Sequence, residues 1–270
     1  RTNIAAMQAS GQLGRTQKNL SRTLGRISSG LRITQAADDA AGLGVATALE
    51  TSVISTRQAM RNANDGISII QTAESATNEV TDILQRMREL AIQSASDTLA
   101  NDERSYIQDE FLQLRQEVER IAAVTEFNGV SLTDGSSSSI DVQVGIQNSS
   151  NSLITITLGD LTTGAGLGID TITLLSSTGA RSALDFLDTA LSSVNSTRSQ
   201  FGAVQNRLES ALNNSQVYSE ALSAAESQIR DADFAVETSE LTKLQIMQQA
   251  GVAALAQAKN INQSVISLLS

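Results

Sequence analysis

Apolar residues recur along most of this 270-residue chain at intervals of three and four, the repeat of one helical face. Ile107, Phe111, Leu114, Val118, Ile121 and Val124 define one such face. Leu184, Leu187, Leu191, Val194, Phe201, Leu208, Leu212, Leu222 and Ile229 follow a longer alternation of three and four, with polar Arg198 and Gln205 at remaining positions, which predicts a heptad seam. Near the end Leu244, Met247, Gly251, Ala254, Ala258, Ile261, Val265 and Leu268 keep the same step without a polar member. Several of these are small, so close packing against a partner is expected. At the start Leu13, Leu20, Leu24, Ile27 and Leu31 project to one side, and Arg15, Lys18, Arg22 and Arg26 to the other. Neither terminal helix can bury its stripe alone. The two are expected to pair with each other or with neighbouring chains, which brings the chain ends together.

The centre has a different period. Ile140, Val142 and Val144 alternate with Asp141 and Gln143, and Ile154, Ile156 and Leu158 with Thr155 and Thr157, the pattern of half-buried strands. The stretch 145–152 supplies a turn, so a β-hairpin is expected. Eight glycines fall from Gly129 to Gly179 and none between Gly66 and Gly129, which separates a looped centre from helical flanks. Ser136 to Ser139 and Gly164 to Gly168 are expected to be exposed loops. The fold class is therefore mainly α: a long antiparallel helical bundle or coiled coil with a small β-hairpin region.

Composition narrows the chemistry. The chain has no His, Cys, Pro or Trp. Without His and Cys there is no Ser-His-Asp or Cys-His triad, no His-ligated metal, no thiolate and no disulfide. With no Pro, long helices run uninterrupted, and with aromatics at 3% the core must be aliphatic. A net charge of −10 argues against nucleic acid as the main partner. No acidic residue occurs before Asp38, so the first helix carries an isolated basic stripe; it suits anionic lipid, nucleic acid, or a solvated or channel-facing surface, and the acidic remainder favours the last. No apolar run has the length of a membrane span and the first ten residues lack a signal-peptide core, so neither a membrane location nor export by a cleaved hydrophobic signal is expected.

Two glycine patterns mimic nucleotide loops and fail. Gly25 to Gly30 is followed by Leu31 where a phosphate-binding loop needs Lys, and no strand precedes it. It is expected to be a break between helices. Gly164, Gly166 and Gly168 lack the spacing of a dinucleotide fingerprint. Adjacent Asp38 and Asp39 would point about 100° apart on a helix, so they are expected to cap the helix beginning near Ala40 rather than to work as a carboxylate pair. No cofactor is expected.

Several longer segments closely resemble those of bacterial flagellin. They are 27–33 (ISSGLRI), 37–43 (ADDAAGL), 84–93 (LQRMRELAIQ) and 126–132 (EFNGVSL) near the start, then 229–234 (IRDADF), 248–251 (QQAG) and 264–269 (SVISLL) near the end. The likeness covers roughly residues 1–135 and 180–270. It implies a structural subunit of the flagellar filament, exported by the flagellar type III apparatus and polymerised into a hollow helical filament for motility. It implies an inner coiled-coil domain from residues 1–40 and 230–270, surrounding the channel, and an outer shell domain from 41–229 with its hairpin at about 129–180. It also implies a thin filament without the outer domains of larger members, and a few residues preceding Arg1. Implied partners are further copies of the chain, an export chaperone, cap and hook-junction proteins. Segment 84–93 resembles the part recognised by Toll-like receptor 5, with Arg86, Leu90 and Glu110 as matching contacts. Ser136, Ser137, Ser138, Ser139, Ser149, Ser150 and Ser152 are the expected positions for O-linked sugar, since the central loops should face outward. Competing readings are a hook-filament junction protein and a secreted membrane-active helical protein.

Overall fold

A computed structural model describes residues 3–267, with side chains described to Lys259. Among the described residues five long helices carry the fold: α1 (Ile4–Ser29), α2 (Ala40–Ser94), α3 (Asn101–Val124), α4 (Ser177–Arg230) and α5 (Phe234–Ser267). Between α3 and α4 lie strands β1 (Glu126–Phe127), β2 (Val130–Ser131), β3 (Ser139–Gln143) and β4 (Leu153–Thr157). The chain divides into two compact units, Arg1–Val53 with Glu220–Ser270, and Ile54–Ser219.

Local chemistry sets the helix ends. Asn3 accepts from the Ala6 N–H at 3.0 Å to cap α1, which stops at Gly30 in the left-handed conformation, φ 72°. The break expected from Gly25 to Gly30 is thus placed at Gly30, and Gly25 lies inside the helix. Asp39 accepts from the Gly42 N–H at 2.8 Å and caps α2 as expected, whereas Asp38 does not cap it and instead accepts from the Thr34 amide and hydroxyl. Asp233 does the same for α5 through the Ala235 N–H at 2.8 Å.

In the second unit α2, α3 and α4 pack on a shared aliphatic core. Val80, Leu84, Met87, Leu90 and Ala91 of α2 meet Ile107, Phe111 and Val118 of α3 and Ala183, Leu187, Ala190 and Val194 of α4. The expected seam of α4 holds at Leu187, Val194, Phe201 and Leu208. Its alternate positions are filled by buried Ala183 and Ala190, while Leu184 and Leu191 are only partly buried. Alanine there lets the helix backbones approach closely. Val124, expected on the α3 face, is 56% exposed at that helix's last residue.

The expected hairpin forms, with β3 antiparallel to β4 and Ile140 opposite Ile156, Val142 opposite Ile154. Its apolar face sits on α2 and α4, and Gly66 makes room: a Cβ there would lie 3.1 Å from Val142 and 3.3 Å from Leu208. A second, two-residue ribbon joins β1 to β2 through Asn128 and Gly129, both at positive φ, the signature of a tight hairpin turn. The Gly164–Gly168 stretch departs from expectation. Gly164 and Gly168 are exposed, but Leu161, Leu167, Ile169, Ile172 and Leu174 of this segment join the helical core. The Glu119 carboxylate accepts from both the amide and hydroxyl of Thr163, at 2.8 and 2.7 Å. A chain without regular structure is fixed here by apolar anchors on alternate sides of its glycines.

Candidate functional site

The two ends of the chain meet in the first unit, where α1 and α5 pack side by side. Asn3 Nδ2 donates to the Ala258 carbonyl at 2.9 Å, Leu13 lies against Gly251, Gln248 Nε2 donates to Gln17 Oε1 at 2.6 Å, and Arg26 pairs with Glu237 at 3.4 Å. Residue numbers fall along α5 as they rise along α1, so the helices are antiparallel. Past the helix ends Leu31 and Asp231 form an isolated antiparallel bridge, reinforced by the Arg32 N–H donating to the Arg230 carbonyl at 2.7 Å.

This seam keeps Leu13, Leu20 and Ile27 of the expected stripe and differs at the positions between and beyond them. On α1 the inward positions are Leu13, Thr16, Leu20, Thr23 and Ile27; Leu20 is buried at 7% and Ile27 half-buried. Leu24 is 47% exposed, and Leu31 lies beyond the Gly30 cap, outside the helix. The repeat of three and four runs through two threonines that an apolar count passes over. Thr16 tolerates burial by donating its hydroxyl to the Gln12 carbonyl at 3.1 Å.

On α5 the inward residues are Leu241, Leu244, Gln248, Gly251, Leu255 and Ala258. Leu244 is 2% exposed, whereas Met247 is exposed at 38% and Ala254 also faces outward. Gln248 and Leu255 take the places expected for Met247 and Ala254. The reason is the same: Gln248 enters the seam because its amide finds Gln17. The side chains of Ile261 and Val265, and the whole of Leu268, lie outside the described residues.

An ionic cluster closes the upper end of this pair. Arg26 reaches Asp38 at 3.6 Å as well as Glu237, and Arg22 reaches Asp38 at 3.7 Å. Arg26 is therefore a cross-link between α1, the 30–39 connection and α5 instead of a member of the basic stripe. Burial works against the Asp38 carboxylate, but the Thr34 hydroxyl and amide and the Arg26 charge outweigh it and hold its pKa below the ordinary value. Arg230 Nη1 ties α4 to α2 through Glu50 at 2.9 Å and bonds Glu226 at 3.3 Å.

In the second unit Arg86 of α2 and Glu110 of α3 are brought together at 2.8 Å, and Arg86 also pairs with Glu89 at 2.9 Å. Leu90 is separated from them: at 1% exposure it belongs to the core between α2, α3 and α4. The exposed surface here is ionic, and the expected apolar contact is absent from it. Of the serines, Ser136, Ser138, Ser139, Ser149 and Ser150 are exposed and Ser137 is half-buried, while Ser152 is buried at 8% against Gly145, so it does not present its hydroxyl to solvent.

Among the described residues no group of His, Cys, Asp and Glu side chains converges to hold a metal ion, and no helix is long and apolar enough to cross a membrane. What the geometry offers is paired chain ends and a packed helical body. Residues 1–138 match the bacterial flagellin N-terminal helical region and residues 184–269 the bacterial flagellin C-terminal helical region. The chain is 42% identical to a flagellin of Halalkalibacterium halodurans over 268 residues, covering 99% of this chain and 98% of that protein. It is 39% identical to the flagellar filament 33 kDa core protein of Treponema phagedenis over 283 residues, with coverage of 99% and 98%. A crystal structure of Bacillus cereus flagellin superposes with a TM-score of 0.51 at 32% identity, covering 57% of this chain and 88% of that one. These likenesses define a structural filament protein and not an enzyme. The chain belongs to the bacterial flagellin family, as a short form without a large variable domain, and is a subunit of the extracellular flagellar filament.

Proposed function

We propose that α1 and α5 form the inner coiled coil lining the filament channel, and that the helices and hairpin of the second unit form the surrounding shell. One observation carries this reading. After the seam is closed, the helix pair still presents large apolar residues outward: Ile4 and Met7 at 65% exposure on α1, and Ile246 at 61% and Val252 at 53% on α5. The seam itself is lean, with Leu20 and Leu244 as its well-buried large side chains, each contributing about 1.5–3 kcal/mol. A pair so thinly cored reaches its full stability when neighbouring copies cover its outer faces. Polymerisation is then coupled to the ordering of the chain ends.

The test is removal of residues 250–270. The truncated protein forms no filaments while α2, α3 and α4 keep their helicity by circular dichroism; normal filaments from it would overturn the reading.

Export through the flagellar type III apparatus fits the same chain, since a sequence without cysteine crosses a narrow channel unfolded with no disulfide to obstruct it. An export chaperone that covers the apolar terminal helices, and cap and hook-junction proteins that meet the chain at the two ends of the filament, complete the set of partners. Toll-like receptor 5 is a further partner, engaged through the ionic surface around Arg86 and Glu110. O-linked sugar attaches at the exposed hydroxyls of Ser138, Ser149 and Ser150, and an intact mass above that of the bare sequence tests this.

A further inference from the structure

The tip of the β3–β4 hairpin leans over α2 and α4 and leaves a cleft of about 520 Å³, within the size range of ligand sites. Its wall from the hairpin is Ile146, Gln147 and Asn151; its wall from α4 is Asn214, Ser215 and Tyr218. No lining residue carries a charge, in a chain of net charge −10. Among the described residues, the side-chain amides of Gln147, Asn151 and Asn214 and the Tyr218 hydroxyl have no hydrogen-bond partner within the chain. The neighbouring turn is otherwise well bonded: Gln143 Nε2 donates to the carbonyls of Gly145 at 2.6 Å and Gln147 at 3.1 Å, and Ser149 meets Ser152 at 3.1 Å. The turn is thus held from beneath by Gln143, while its own amides face the cleft. Tyr218 is 46% exposed and offers a ring face at the rim, beside Ile146 at 41%.

We propose that this cleft binds a neutral polyhydroxylated ligand of the pyranose class. Each amide presents a donor and an acceptor side by side, which matches the paired donor and acceptor character of vicinal hydroxyls. The tyrosine ring packs on the apolar C–H face of a sugar while its hydroxyl stays in the polar part of the cleft. An apolar side chain inserted here would strip water from three amides and return no hydrogen bond, a cost of about 1–3 kcal/mol for each group. The absence of any charged lining residue makes the site discriminate against uronic acids and amino sugars, which would lose hydration of their charge without gaining a counter-charge. Every lining residue belongs to the same compact unit, so the cleft is formed within a single chain.

The test uses the full-length monomer at low salt with maltose as probe, in saturation-transfer NMR, and glucuronate as the charged comparison. Maltose binds with a dissociation constant on the order of 1–10 mM, a weak-ligand affinity, and glucuronate shows no transfer. Tyr218→Ala weakens maltose about five-fold, the loss of one aromatic packing contact, and Tyr106→Ala, a tyrosine 72% exposed on α3, leaves it unchanged. Both tyrosines are exposed, so thermal melts should match the parent. Should Tyr218→Ala alter the melt, Gln147→Leu on the exposed turn gives the same comparison. No transfer to maltose, equal transfer to glucuronate, or undiminished binding in the folded cleft variant would each overturn the proposal.

Discussion

The Cδ1 methyl of Leu13 lies 3.4 Å from the point where a Cβ would stand on Gly251, at ordinary contact distance across the α1–α5 seam. An alanine at 251 therefore fits without displacing α1, and it removes a glycine from the interior of α5 at a gain of about 1 kcal/mol in helix propensity. Gly251→Ala should raise helical ellipticity and the midpoint of the first unit's melt. Gly251→Ile extends past the Cβ into Leu13 and should lower both. Equal or reversed behaviour in the two variants would show that this contact does not set the spacing of the helices.

The Asp38 cluster makes the first unit acid-sensitive in a defined direction. The folded pKa of Asp38 is depressed, so its contribution is fully present above the unfolded carboxylate value near 4 and disappears as pH falls through the folded value. Asp38→Asn keeps the Thr34 contacts in part but removes the charge facing Arg22 and Arg26. The variant should be less stable than the parent at pH 7, and the difference should shrink steadily below pH 4. Urea unfolding at both pH values measures it, and a gap that persists unchanged at pH 2 would assign the effect to packing.

The helices and the β3–β4 register are legible because their burial follows a simple period; of the family motifs, 84–93 and 248–251 lie within helices, 126–132 spans the β1–β2 ribbon, and 27–33, 37–43 and 229–234 fall at helix ends. The terminal seams are legible at Leu13, Leu20, Ile27, Leu244, Gly251 and Ala258, but not at the positions between them. Thr16 and Thr23 enter buried positions and Gln248 a half-buried one by bonding to Gln12, by small size and by bonding to Gln17, none of which an apolar count detects. Size and apolarity alone place Leu24 and Met247 inward, yet on a subunit of a polymer such residues face outward too. The ordered 158–176 segment was also hidden: its glycines and threonines have loop composition, and the Thr163 contact to Glu119 spans 44 residues.

That last contact predicts a local effect. Glu119→Ala removes the carboxylate oxygen that accepts from both the amide and the hydroxyl of Thr163 and should cost the second unit about 1.5–3 kcal/mol, the range for hydrogen bonds to a charged group. The loss should appear as faster amide exchange at 161–169 before any change at β3 and β4. Uniform exchange changes across the unit would mean that the loop and hairpin unfold together.

Assembly kinetics should respond to salt. Subunits of net charge −10 repel one another, and a Debye length of about 10 Å at 0.1 M screens that repulsion. Filament growth followed by light scattering should accelerate from low to moderate salt, and sulfate should act more strongly than chloride because it also strengthens apolar burial. A flat or falling rate would remove charge repulsion as the controlling term.

The placement of Arg86, Glu110 and Leu90 separates two effects that a receptor assay alone would merge. Arg86 and Glu110 form an exposed, solvent-screened pair whose loss leaves stability nearly unchanged. Leu90 is a core residue, and Leu90→Ala should cost about 2–5 kcal/mol through the cavity it leaves. In reporter cells carrying Toll-like receptor 5, Arg86→Ala and Glu110→Ala should reduce signalling by the monomer with unchanged melting. Leu90→Ala should reduce it only to the extent that folded protein is lost. Intact filaments should be silent where neighbouring copies cover the Arg86 face. A folded monomer that fails to signal, or full activity in the Arg86 and Glu110 variants, would place recognition elsewhere on the chain. Reduced signalling by Leu90→Ala at full folded concentration would mean that the receptor reads the packing of α2 on α3 as well as its surface.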